Sequence, residues 1–412
     1  MLRPASARRL VLVALGVLLA APGARAQFTI PPRGTAATLD VGSWNVEFFG
    51  TTSPTDQPDT SPNDDVQFER VQAVVAQSLI DVWAFQEVSD GPDFTRLVAG
   101  VAGYASVLGP SVSTPNTPFD QKLAFAYNRA VVQVVSTQTI LANESFNFAG
   151  RPPLEMVANV TTAGVTRQVR FVAIHAKATS DSDSRTRRAA ASNALKTYVD
   201  NLIAQGQSVV VLGDFNDELT TSISGGVSPY ANFVADAPDY VFATQRINDQ
   251  NIGTFCGNRS ACDTGSTIDH ILAGGPVVGE LEPGSGDRYG ELLTAITQYT
   301  LTTSDHLPVV AQFRLRTVAG EGGPDAGPVA LLPASPSPFR GTTTLRFRLD
   351  AASSVRVDVL DVLGRTVASL GGAYGAGEHR LSLDGTPLAP GLYRVRLRAA
   401  GTVRTQTVIR AR

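Results

Sequence analysis

The chain is short of several residue types, and each shortage narrows the reading. Lysine is confined to Lys122, Lys177 and Lys196, and the net charge is −3. With no global basic signature, any nucleic-acid contact must come from a local patch and not from the average field. No Gly-x-Ser-x-Gly elbow occurs, which disfavours a serine hydrolase. Past the N-terminus no apolar run is long enough to span a membrane, so no transmembrane segment is expected. Cysteine is limited to Cys256 and Cys262, and histidine to four residues.

What is present begins with a targeting segment. Arg3, Arg8 and Arg9 precede an apolar run from Leu10 to Ala21, and Ala24-Arg25-Ala26 forms a small-x-small cleavage site. Residues 1–26 are therefore expected to be a signal peptide and the mature chain to be exported. In an oxidising compartment Cys256 and Cys262 are expected to close a small disulfide loop, two free thiols being the alternative. At 412 residues with 43% hydrophobic content, the chain has room for more than one domain.

The most informative stretch is Val209-Val210-Val211-Leu212-Gly213-Asp214-Phe215-Asn216-Asp217. A continuous Val-rich run reads as a strand buried on both faces. It stops on Gly-Asp-x-Asn, which suits a plain turn but also delivers an acid and an amide to a sheet rim. Other apolar runs end in the same way. Leu39 to Val46 leads to Trp44-Asn45-Val46-Glu47, Ile80 to Val88 to Gln86-Glu87, and Gln168 to Ile174 to His175-Ala176-Lys177. Ser266 to Leu272 carries Asp269-His270, and Ser304 to Phe313 carries Asp305-His306. Helical spacing is read over Val66 to Leu79, with Asn63 or Asp64 as N-cap, and over Arg187 to Gln205. Thr51 to Asp65 reads as a polar surface loop. This mixture predicts a large α/β domain over 27–316. A Gly/Pro/Ala/Ser linker is expected over 317–337, and alternating strands over 338–412 predict a small all-β sandwich with no helix.

The strand-end groups are Asn45, Glu87, His175, Asp214, Asn216, Asp269, Asp305 and His306. Carboxylates with an amide are hard oxygen ligands suited to Mg²⁺, with Mn²⁺ or Ca²⁺ as alternatives. Two histidines beside such a site offer proton transfer near neutral pH, the combination that phosphoryl transfer needs.

With these motifs in order, the first domain resembles the endonuclease/exonuclease/phosphatase superfamily, whose members share a deoxyribonuclease I-like fold. The resemblance implies a four-layer sandwich of two mixed β-sheets flanked by helices, and a metal-dependent phosphoesterase. Carried over by residue, it implies Glu87 as principal metal ligand with Asn45 and Asp305. Asp214 and Asn216 would orient water and phosphate, and His306 with Asp269 would form an acid/base pair. His175 would contact the scissile phosphate, as a candidate to protonate the leaving oxygen. Lys177 would add positive charge there, with Arg151 or Arg188 as further candidates; Lys177 and Arg188 are equally readable as solvated surface charges. His270 is expected only to pack.

The tail resembles a type IX secretion C-terminal sorting domain through Pro336-Ser337-Pro338-Phe339, Asp361-Val362-Leu363-Gly364-Arg365 and Leu388-Ala389-Pro390-Gly391-Leu392-Tyr393. Ser337 stands where that family usually has Asn. The resemblance implies passage across the outer membrane by the type IX machinery; a β-sandwich binding module is the alternative.

The function expected is a secreted, divalent-metal-dependent phosphoester hydrolase, an endonuclease or phosphodiesterase acting on nucleic acid or another phosphodiester, and a monomer. A sphingomyelinase-like enzyme, an inositol or sugar phosphatase on the same fold, and a non-catalytic surface binding protein are the alternatives. Gly-Asp-x-x-Asp also fits calcineurin-like phosphoesterases, but their Asp-x-His and Gly-Asn-His motifs are missing.

Overall fold

The computed structural model describes residues 28–51, 64–110, 120–237, 239–257, 259, 262, 265–316, 329–361, 365–400 and 402–411. The expected signal peptide, most of the Thr51 to Asp65 loop, Asn63 as a cap, and residues 317–328 of the expected linker lie outside them.

The chain starts a first sheet with β1 (Leu39–Phe49), β2 (Val82–Val88), β3 (Tyr104–Leu108) and β4 (Lys122–Asn128). It then builds a second from β5 (Val132–Thr139), β6 (Leu154–Thr162), β7 (Val165–His175), β8 (Ser208–Asp214), β9 (Tyr240–Phe242) and β10 (Asp269–Gly274). It returns to the first with β11 (Asp287–Arg288) and β12 (Val309–Phe313). Spatial order is β11-β12-β1-β2-β4-β3 in one sheet and β5-β6-β7-β8-β10-β9 in the other. Both are mixed: β1 runs parallel to β2 and β7 to β8, the remaining pairs being antiparallel.

Strands buried on both faces explain the continuous apolar runs. Val41, Ala84, Phe125, Phe171, Val210, Leu212 and Ile271 meet in the core between the sheets. Outside the first sheet, α1 (Asp64–Gln77) and α2 (Gly91–Ala99) lay Val71, Val74, Val75, Phe94 and Leu97 against Trp44, Trp83 and Phe85. Outside the second, α3 (Ser182–Ile203) packs Ala191, Leu195 and Val199 on Val172, Val209 and Val211. The result is the expected four-layer sandwich. Asp64 lies inside α1 and is not its cap.

The C-terminal region is all antiparallel, with strands β13 (Val329–Ser335), β14 (Thr342–Leu349), β15 (Ser353–Leu360), β16 (Thr366–Tyr374), β17 (Gly377–Asp384), β18 (Gly391–Ala399) and β19 (Thr402–Arg410). Three strands, β13-β14-β17, face four, β16-β15-β18-β19, around Val329, Phe347, Val357, Val395 and Leu397. The expected linker of 317–337 is too long. Val329 is fully buried and Leu331 packs on the tail core, so β13 belongs to the sandwich despite its Pro- and Ala-rich neighbourhood. No helix among the described residues is long and apolar enough to cross a membrane.

Candidate active site

The topology collects the polar strand ends at one edge of the stacked sheets. β1, β2, β7 and β8 end there, while β10 begins there, because Asp269 pairs with Asp214. β12 runs antiparallel to β1, so the segment before it returns Asp305 and His306 to the same edge. The first sheet thus supplies Asn45, Glu87, Asp305 and His306, and the second His175, Asp214, Asn216 and Asp269.

Hydrogen bonds tie the two sheets together. The Asn45 amide nitrogen donates to Glu87 Oε1 (3.2 Å) and Asp214 Oδ2 (3.1 Å), and its Oδ1 accepts the Glu47 N–H (3.0 Å). His306 Nδ1 donates to Asp269 Oδ2 at 2.9 Å, and its Nε2 faces Asp214 and Asp305, each at 4.0 Å. His175 Nε2 sits 3.5 Å from Asp214 Oδ2 and 3.7 Å from Glu87 Oε1. Asp214 Oδ1 accepts the Asn216 N–H at 2.8 Å, and the Asn216 side chain donates to the Ala176 carbonyl at 3.2 Å. Glu47, Phe48, Glu87 and Asn216 all have φ between 45° and 62°. Non-glycine residues rarely adopt that region, and such strain clusters at functional sites.

Glu87, His175, Asp214, Asn216, Asp305 and His306 line a cleft of about 750 Å³, together with Glu47, Phe48, Phe255, Arg259 and Ile268; Asn45 and Asp269 touch it through their bonds to Glu87, Asp214 and His306. Burial and the charge of Asp305 raise the Glu87 carboxyl, and burial raises Asp214 to about 7. Burial alone would lower His306, but Asp269, Asp214 and Asp305 hold it well above an ordinary imidazole. His175 moves the other way: burial, Arg151 and the charge of His306 lower it well below its usual value. One imidazole is held protonated and the other neutral, which equips the cleft with a donor and an acceptor. Asp269 Oδ1 is buried with no hydrogen-bond partner among the described residues, and Asp214, Asp269 and His306 bring ligand atoms within 4.8 Å of one another.

Three expected phosphate contacts are placed elsewhere. Arg188 is fully buried: its Nε pairs with Asp217 at 2.8 Å, and its other nitrogens donate to the Lys177 and Thr179 carbonyls and to Ser224. It anchors the loop after Asp214 and does not face the cleft. Arg151 is buried behind the wall, donating to the Ala176 carbonyl at 2.7 Å and to Gln121. Its charge still lowers Glu87. Lys177 Nζ donates to the Ala178 carbonyl at 3.0 Å, outside the residues lining the cleft. Asn45 also departs from its expected part, since its oxygen faces the Glu47 N–H and its nitrogen bridges the carboxylates. His270 packs as expected, edge-on to Phe215 and Phe242, with Nδ1 on Thr244 and Nε2 on the Asp217 carbonyl. The disulfide joins Cys256 to Cys262.

Glu47 and Arg259 were not among the expected site residues. Glu47 stands inside the Trp44-Asn45-Val46-Glu47 motif, a signal that was legible; Arg259 had none beyond its place in the cysteine loop.

The profile of the Endonuclease/Exonuclease/phosphatase family matches residues 42–306, spanning the whole constellation. The chain belongs to this family. Its members are hydrolases acting on phosphoesters and are generally divalent-metal-dependent. The profile of the secretion system C-terminal sorting domain matches residues 335–410. That domain directs export across the outer membrane, and this family member is a secreted or cell-surface protein. No curated protein matches the chain. Solved structures similar to it include an endonuclease/exonuclease/phosphatase from Beutenbergia cavernae (17% identity, TM-score 0.48, 90% of this chain and all of that one). The human Nocturnin catalytic domain is similar at 17% identity and TM-score 0.46 (69% and 98%). An endonuclease/exonuclease/phosphatase family protein from Bacteroides thetaiotaomicron is similar at 14% and 0.47 (68% and 98%).

Proposed function

We propose that this exported hydrolase is a divalent-metal-dependent phosphodiesterase, with endonuclease as the leading reading. The observation that carries it is the crossing of the Asp269–His306 pair with the Asn45–Glu87–Asp214 bridge, between two sheets and at one cleft. Buried charges cost several kcal/mol each unless paired or bound to a cation. Glu87, Asp214 and Asp305 crowd together more acids than the cations beside them, His306 and the buried Arg151, offset, and that fits a hard cation with oxygen ligands.

Held by Glu87 and Asp305, Mg²⁺, or Mn²⁺ or Ca²⁺ in its place, would neutralise charge on the non-bridging phosphate oxygens. Asn45 keeps Glu87 and Asp214 at a fixed separation. Asp214, with a carboxyl raised near neutrality, orients the attacking water and takes up its proton, and Asn216 fixes the Asp214 rotamer through its N–H. His306 presents Nε2–H to a phosphoryl oxygen while Asp269 holds Nδ1–H and so sets the tautomer. His175 contacts the scissile phosphate and stands next to the departing oxygen.

A second reading, a small or lipid phosphoester as substrate, is favoured by one observation. Arg259 is the only cation among the described cleft residues apart from the histidines, and it is paired with Glu47. Residues 28–316 hold thirty Asp and Glu against eighteen Lys and Arg, a balance that does not steer polyanions. The test is the mature chain with supercoiled plasmid, RNA, sphingomyelin and a small phosphodiester, in Mg²⁺, Mn²⁺ or EDTA. Metal-dependent nicking supports the nuclease. Turnover of lipid or small ester alone removes the nuclease reading and keeps the phosphodiesterase. No turnover with any metal removes both.

A further inference from the structure

Asp305 reaches the cleft from a loop, and that loop is held from both sides by the disulfide-closed segment. The Cys256 N–H donates to the Asp305 carbonyl at 2.7 Å, and Leu307 N–H to the Thr254 carbonyl at 2.8 Å, so residues 254–256 run beside 305–307 as a short ladder. The Phe255 ring lies 4.9 Å from the His306 ring. On the other side, the Asp305 N–H donates to Glu47 Oε2 at 2.9 Å. The Glu47 carboxylate is in turn gripped by the Arg259 guanidinium, from inside the same disulfide loop. Arg259 is locked by reciprocal bonds with Thr300: its Nη1 donates to the Thr300 carbonyl (2.6 Å), and the Thr300 hydroxyl donates to its own carbonyl (2.5 Å).

Two features argue that this arrangement is more than packing. Glu47 and Phe48 occupy consecutive left-handed conformations, with φ of 45° and 48°, which turns the Glu47 carboxylate back toward Asp305. Arg259 is itself left-handed (φ 55°), and its N–H bonds the Cys256 carbonyl at 2.7 Å in a turn spanned by the six-residue disulfide closure. An unfavourable backbone state persists only where surrounding structure over-determines it. Here the cross-link supplies that constraint, because it removes the open-loop conformations in which the turn would relax.

We propose that the Arg259–Glu47 ion pair positions Asp305, and that the Cys256–Cys262 disulfide makes this positioning depend on oxidation. The inference rests on the metal-dependent reading of the cleft. Glu47 and Arg259 are positioning residues: they act on Asp305 and through it on cation binding. In a reducing cytoplasm the two thiols leave Arg259 held by Thr300 alone, without the turn that aims it at Glu47; the disulfide forms in the oxidising exterior, and the site is completed there. A hydrolase of cellular phosphoesters is thereby kept weak until it has left the cell.

The test uses the mature full chain and Mn²⁺, titrated calorimetrically, with turnover of a small phosphodiester measured beside it. Arg259→Ala is expected to weaken Mn²⁺ binding about tenfold or more, the usual cost of removing a group that orients a ligand, and Arg259→Lys to recover part of the loss. Glu47→Gln combined with Arg259→Ala should bind no worse than the weaker single variant. Wild type treated with tris(2-carboxyethyl)phosphine and desalted without air should match Arg259→Ala, and Arg259→Ala should not respond further. In that reduction the phosphine loses two electrons and takes oxygen from water, and the two protons of that water end on the two thiols. Because Cys256→Ser/Cys262→Ser can fail to fold, the chemically reduced wild type, checked by circular dichroism, carries this arm. Wild-type Mn²⁺ affinity in Arg259→Ala, with wild-type turnover intact, overturns the inference and leaves the phosphodiesterase standing. Loss of binding in Glu47→Gln with none in Arg259→Ala also overturns it, by making Glu47 a direct ligand. A wild type that neither binds Mn²⁺ nor turns over overturns both.

Discussion

The two ends of the same strands carry two groups of buried carboxylates, and they are treated in opposite ways. At the start of β1 and β2, Asp40 and Asp81 sit in a closed network. Asp40 accepts from the Thr35 N–H (2.6 Å), the Thr38 hydroxyl (2.9 Å) and Gln312 (3.0 Å), and Asp81 from the Asp40 N–H (3.1 Å) and Asn128 (3.1 Å). Every donor is neutral. At the other end Glu87, Asp214 and Asp305 meet two imidazoles at a cleft, and Asp269, bonded to one of those imidazoles, has an Oδ1 with no partner among the described residues. Both groups are costly to bury. The first is settled by hydrogen bonds and holds strands in register; the second is left with charge to spare and faces an opening. Burial of acids alone does not mark a site, whereas incomplete compensation beside a cleft does.

The comparison breaks most visibly at the cleft end. His306→Ala should lower kcat by about 10²–10⁴, the range lost with an acid/base group, out of proportion to the fall in thermal midpoint that the unpaired Asp269 brings; the readout is steady-state turnover beside a melt. Arg188→Ala should do the reverse. It strands Asp217 at the centre of its loop, and removing one partner of a buried pair costs about 3–5 kcal/mol of stability, measured by urea unfolding. Asp40→Ala leaves the Thr35 N–H without an acceptor and Gln312 with the Arg33 carbonyl alone, and should cost about 1–3 kcal/mol, with kcat/KM on a small phosphodiester unchanged.

A further difference between the two ends is in pH. Burial raises Asp40 to about 6 and Asp81 to about 7 in the folded chain. A folded pKa above the unfolded one means that the stabilisation is fully present below about pH 4. It is lost as pH rises through 6 and 7. Between pH 4 and 8, Asp40→Asn/Asp81→Asn should therefore lose less stability than wild type, measured by urea unfolding at each pH. An equal loss would mean that this end is not the protonated, closed network described.

The sequence exposes the cleft end better than the base. Val209 to Asp217 announces itself because an apolar run that stops on Gly-Asp-Phe-Asn-Asp leaves few other places for its carboxylates. The same applies to Gln86-Glu87 and Asp305-His306. Arginine is harder to place. Arg187 and Arg188 are neighbours on α3, and which one turns inward is decided by Asp217, on a different element. Periodicity within the helix carries no trace of that partner. The pairing of Glu47 with Arg259 is hidden for the same reason, since it spans 212 positions. The strands of the two sheets that escaped notice, β3, β5, β6, β9 and β11, include all four sheet edges, where the polar run Gln133-Val134-Val135-Ser136-Thr137-Gln138 of β5 mimics a loop. In the tail, alternation along β14 was readable because one face is buried and the other exposed, whereas proline and alanine beside β13 disguised a strand as linker.

The account turns on the claim that the uncompensated acids of the cleft serve a metal-dependent phosphodiester hydrolysis. Turnover of bis-p-nitrophenyl phosphate by the mature chain, in Mn²⁺ and in EDTA and beside His306→Ala, tests it most directly. The prediction is turnover with Mn²⁺ that vanishes in EDTA and falls at least a hundredfold in the variant. Equal turnover in EDTA, or none under any condition, would contradict it.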